Sequence, residues 1–123
     1  MSDVKAKHFE QIPYYQGPHR IPGIKFHTAG RDLGVTAWGM NVLAIDPGCE
    51  GHPLHDHAKD GQEEVYVVLR GSGTLKAESE ETPLTVGTLV RVGPEQQRKL
   101  LPGPDGLVVL AIGATPGKAY APR

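Results

Sequence analysis

Glycine and proline punctuate this chain so often that a long helix has no room to form. There are 16 Gly and 11 Pro among 123 residues, spread at short intervals and not gathered into a low-complexity tract. Between them lie short runs rich in β-branched and aromatic residues, the pattern of many short strands joined by turns. The runs are 24–28, 35–45, 52–57, 63–69, 74–79, 88–92, 98–101 and 107–112. The densest, EEVYVVL from Glu63 to Leu69, reads as a central strand. Gly71-Ser72-Gly73 reads as a tight connection, with Thr74 to Ser79 returning as a partner strand. About eight strands and no helical period predict an all-β, antiparallel jelly-roll barrel.

The length suits one domain. The expected organisation is an irregular N-terminal arm at 1–23, a β-barrel at 24–113 and a tail at 114–123, with Tyr14, Tyr15 and Tyr120 as apolar anchors outside the barrel. A net charge of −1 argues against a nucleic-acid partner. No stretch is apolar enough for a membrane span, and Met1 to Glu10 lacks the apolar segment of a signal peptide, so a cytoplasmic protein is expected. The single cysteine, Cys49, rules out an internal disulfide and reads as a small residue in a turn.

Chemistry concentrates around His55 and His57. On an extended chain, residues i and i+2 face the same side, so both imidazoles can reach one point while Asp56 points away. Glu64 opens the central strand and shares its face with Gln62, Tyr66 and Val68. Two imidazoles and a carboxylate form the facial ligand set that suits Fe(II) and also accepts Mn, Ni, Cu or Zn. His52 has the opposite parity. His8, His19 and His27 have no partner at ligand spacing and are expected at the surface. Asn41 and Tyr66 are candidates to line the pocket, and Trp38 is expected as a core or interface aromatic.

The stretch HDHAKDGQEEVYVVLRGSG, His55 to Gly73, resembles the first motif of the cupin superfamily: two histidines one residue apart, a glutamate, six residues, then a glycine. Gly87 to Arg98 resembles the second motif in part. The resemblance implies a small single-domain bacterial cupin of the cupin 2 type. It implies a jelly-roll barrel, a homodimer, and a divalent metal held by His55, His57 and Glu64. Three departures stand out. Six residues separate His57 from Glu64 where the family pattern has fewer. Gly93 and Glu95 replace an expected proline and glycine. Arg98 stands where the family's fourth ligand, a histidine, would be.

Arginine keeps its proton and does not ligate a metal. Two readings follow. In one, three protein ligands hold the ion and Arg98 clamps an anionic substrate, with Gln62, Asn41 and Tyr66 nearby; oxygenation of a small anionic molecule, as by a dioxygenase, is the type of reaction. In the other, Arg98 pairs with Glu64, the metal is gone, and the cavity binds or senses a small molecule without turnover.

Overall fold

The computed structural model describes residues 2–121, so Met1 of the arm and the last two residues of the tail lie outside the described residues. Six strands make one antiparallel sheet: β1 (Ile24–His27), β2 (Gly39–Ile45), β3 (Glu63–Ala77), β4 (Glu80–Thr85), β5 (Leu89–Val92) and β6 (Arg98–Ala114). The order is β1-β2-β6-β3-β4, with β5 paired to the first half of β3.

Six strands stand where eight were expected: four of the expected runs merge pairwise through glycines into β3 and β6, 52–57 forms no regular strand, and β4 lies outside the expected runs. β3 has 15 residues and β6 has 17. Thr74 to Ala77 does not return as a partner strand; it continues β3 and pairs with β4 and with the first residues of β6. The register between β3 and β6 shifts on either side of Gly71. There the two backbones approach so closely that a Cβ on Gly71, whose φ is +75°, would strike the Gly106 carbonyl. Glycine therefore carries a bulge in a long strand rather than ending it. The 102–106 stretch, which lies between two of the expected runs, is likewise part of β6. Residues 35–38 lie outside β2, and Trp38 among them is 43% exposed, which removes it from the core.

A short helix, α1 (Ala29–Leu33), also had no sequence signal; it is ended by Gly34 in the left-handed region with its N–H on the Arg31 and Gly30 carbonyls. Five residues are too few to show a helical period. Among the described residues, no helix is long and apolar enough to cross a membrane.

Side chains alternate across the sheet, and both faces are used. The inner face carries the main core, including Leu43, Tyr66, Val68, Leu100 and Val109. The outer face of β2 and β6 carries Val42, Val108 and Leu110, packed with Ile12 and Phe9 of the N-terminal arm. His27 lies under this arm. It was expected at the surface but is 5% exposed, with Nδ1 2.8 Å from the Ile12 carbonyl oxygen. His8 and His19 are exposed. Cys49 sits in a turn with Sγ toward the Pro22 carbonyl. Tyr120 packs on Gly39.

Candidate metal centre

Two segments bring the cluster together. Glu64 projects from the inner face at the start of β3, opposite Val92 and Gly113. Residues 52–57 run beside the loop that leads into β6. His55 exchanges backbone hydrogen bonds with Arg98 (3.1 and 2.9 Å), and the His57 N–H donates to the Pro94 carbonyl at 2.7 Å. This segment is no regular strand, but the pairing keeps it extended, so His55 and His57 face one side. Among the described residues, His55, His57 and Glu64 are the one group of three whose ligating atoms all lie within 4.8 Å of one another.

Each of the three is held by a second group. His55 Nδ1 lies 2.9 Å from the Pro53 carbonyl oxygen, and His57 Nδ1 lies 3.3 Å from Asp60 Oδ2. Both partners are acceptors, so each Nδ1 carries the proton and each Nε2 keeps a lone pair. Glu64 Oε1 accepts from Arg98 Nη2 at 2.8 Å and lies 3.9 Å from His57 Nε2. Metal-ligating histidines and carboxylates are oriented by such outer partners. Two open imidazole nitrogens and a carboxylate oxygen at this spacing fit a divalent transition ion or zinc.

Asp60 is the residue that sequence reasoning missed. In sequence, an Asp-Gly pair such as Asp60-Gly61 signals only a turn. That turn carries the carboxylate back over His57, three residues earlier, while Asp60 Oδ1 accepts the Gln62 N–H at 3.1 Å. The longer spacing between His57 and Glu64 accommodates it.

His52 does not join the group, although its ring centroid is 5.3 Å from that of His55. It is 4% exposed, and its Nδ1 accepts the Leu100 N–H at 3.0 Å. In the neutral ring the proton then sits on Nε2, the reverse of His55 and His57, and neither nitrogen is open to an ion. Burial first, and His55 second, pull its pKa from 6.5 down to about 4.

Arg98 is fully buried. Besides Glu64, its guanidinium holds the Gln96 carbonyl through Nη1 at 2.9 Å and the Gly93 carbonyl at 3.4 Å. Among the described residues, its Nε is the one buried side-chain polar atom without a hydrogen-bond partner. Burial alone would lower the Arg98 pKa; hydrogen bonding to Glu64 and Tyr66 outweighs it, and the net direction is upward. Arg98 is thus paired with Glu64 in this structure.

The remaining candidates separate. Tyr66 is 1% exposed within the core, and burial, with Glu64 next in effect, pushes its hydroxyl pKa upward. Asn41 sits across Ala111 from Tyr66 in the register, on the same inner face but two strands away. Gln62 turns its carboxamide against Gly113 of β6.

No protein-family model matches the sequence, and no curated protein matches it. Solved structures do. A cupin protein from Bacteroides fragilis is 20% identical, with a TM-score of 0.67 over 89% of this chain and 91% of that one. A putative sugar phosphate isomerase from Acidithiobacillus ferrooxidans is 29% identical, with a TM-score of 0.65 over 80% of this chain and 67% of that one. An ectoine synthase from P. lautus is 15% identical, with a TM-score of 0.66 over 89% and 77%. The antiparallel sheet and these neighbours agree with the motif at His55 to Gly73: the chain has a cupin-like fold.

Proposed function

We propose that His55, His57 and Glu64 hold a divalent metal ion for metal-dependent chemistry on a small anionic molecule. One observation carries the reading: all three donor groups are oriented by a second group, Pro53, Asp60 and Arg98 respectively. A chance cluster of polar side chains has no reason to present both imidazoles in the same tautomer. The similar structures include an ectoine synthase and a putative sugar phosphate isomerase, so this fold serves enzymes of small polar molecules.

When bound, a divalent ion supplies Lewis acidity, or redox chemistry where it is iron, manganese or copper. The residues do the rest. Asp60 keeps the His57 proton on Nδ1. The Pro53 carbonyl does the same for His55. Arg98 fixes one oxygen of Glu64 and balances its charge, so the loaded site keeps a positive excess that favours an anionic ligand.

Protein purified without chelator should carry about one equivalent of metal per chain. His57→Ala should weaken zinc or manganese binding about 100-fold by titration calorimetry, as expected for the loss of one of three protein ligands. Unchanged binding in that variant overturns the assignment. A second reading has its own observation: at 2.8 Å, Arg98 already neutralises Glu64 without any ion. In that case the site binds a small anion with no metal. Ligand-induced stabilisation that survives chelator, with no metal in the purified protein, would favour it.

A further inference from the structure

A second cavity lies on the opposite face of the sheet, away from His55, His57 and Glu64. The register sets four residues side by side across four strands: Lys25 on β1, Ala44 on β2, Val108 on β6 and Arg70 on β3. The neighbouring row begins with His27 and Val42. Ile12 of the arm packs over Val42 and closes that row. Over the next row the small Ala44 side chain leaves space, and a cavity of about 410 Å³ remains between arm and sheet. Pockets of about 300–1,000 Å³ are the size that holds small ligands.

The cavity has a chemical bias. Its floor, Ala44 and Val108, is apolar. Its wall is aromatic: Phe9 and Tyr14 stand edge-on to His27, with ring centroids 5.6 and 5.7 Å away. A cation stands at each end of the floor. Lys25 Nζ lies 5.5 Å from the Tyr14 ring centroid and the Arg70 guanidinium 5.1 Å from that of Phe9. These contacts hold both cations against the arm, although both side chains remain exposed to solvent. The one acid on the lining, Glu10, sits 3.5 Å from Arg70 and offsets part of its charge. An apolar floor and aromatic wall between two cations repel a cationic ligand, gain little from a neutral polar one, and match an anion with an apolar body.

We propose that this cavity is a second ligand site, for a small organic carboxylate with an aromatic or aliphatic body. The carboxylate would take Arg70 or Lys25, and the body would lie on Ala44 and Val108. The site is independent of the metal reading, since none of its residues belongs to the cluster on the inner face.

The test is NMR titration of the full chain, in chelator, with phenylacetate, phenylacetamide and phenethylamine. Phenylacetate should shift the Lys25, Ala44 and Val108 amides saturably. The amide and the amine should bind about tenfold more weakly or not at all. Ala44→Leu should fill the floor and abolish the shifts. Arg70→Gln, at an exposed side chain that leaves the fold intact, should weaken phenylacetate about tenfold. Equal response to all three probes overturns the proposal. So do shifts confined to His55, His57 and Glu64, or an Arg70→Gln variant that binds as the wild type does. Shifts of these amides that follow protein concentration would place a second copy on this face and overturn it as well.

Discussion

His52 and His55 are three residues apart and their rings nearly touch, yet they belong to two different regions. At the base, His52 is buried and its Nδ1 serves the Leu100 backbone N–H. At the rim, His55 and His57 donate through Nδ1 and present Nε2. Proximity does not distinguish the two; the committed nitrogen does. A histidine that accepts from the backbone replaces a missing hydrogen-bond partner of the main chain. A histidine that donates to an acceptor is oriented toward something else.

Arg98 joins the two regions, buried like the base but bonded to Glu64 of the rim. Its removal is the largest expected effect. Arg98→Met leaves the Glu64 carboxylate, whose side chain is 14% exposed, without its partner. In chelated protein the cost should be about 4 kcal/mol by urea unfolding, because the remaining charge is poorly solvated. Zinc should restore part of it by taking over the neutralisation. A loss under about 1 kcal/mol would mean that Glu64 does not depend on Arg98.

The contrast between base and rim was only half legible in the sequence. The rim was readable, because His55 and His57 two apart on an extended segment share a face whether or not that segment is a regular strand. Arg98 was legible as an anomaly with two roles; its burial and its pairing with Glu64, 34 residues away, were not. The base was not readable, since nothing local tells that His52 meets Leu100, 48 residues on. The fold followed the same division. Short runs of β-forming residues located β1, β2 and the first half of β3. Gly71 and Gly73 were taken for a connection because a glycine that bends a strand looks, in sequence, like one that ends it. His27 was placed at the surface because the arm that covers it has no strand or helix pattern of its own.

Acid should act on the base before it unfolds the rest. The folded His52 pKa is lowered to about 4 from 6.5, so the unfolded chain takes up a proton first as pH falls. Above pH 6.5 the ring is neutral in both states and costs nothing. Between 6.5 and about 4, stability falls by up to about 1.4 kcal/mol per pH unit, on the order of 3 kcal/mol in all. Below about 4 both states are charged and the loss levels off. His52→Gln keeps an acceptor for the Leu100 N–H but does not titrate. It should flatten this part of the stability profile relative to the wild type in chelated protein. A profile that keeps its full slope would assign the acid loss to other groups and weaken the distinction between base and rim.

The smallest effect tests the rim alone. In Asp60→Asn the side-chain oxygens that meet His57 Nδ1 at 3.3 Å and the Gln62 N–H at 3.1 Å are replaced by an amide that can still cap the turn, so the backbone should hold. What is lost is the negative charge that fixes the His57 proton on Nδ1 and raises the basicity of Nε2. Zinc affinity should fall about tenfold, ~1.4 kcal/mol, with the chelated protein's unfolding midpoint nearly unchanged. The separation of the two readouts carries the argument. An orienting carboxylate changes metal affinity without changing stability, whereas a carboxylate that only closes a turn does the reverse. If the unfolding midpoint moves and the affinity does not, Asp60 belongs to the turn, and His57 loses the outer partner that sets it apart from His52.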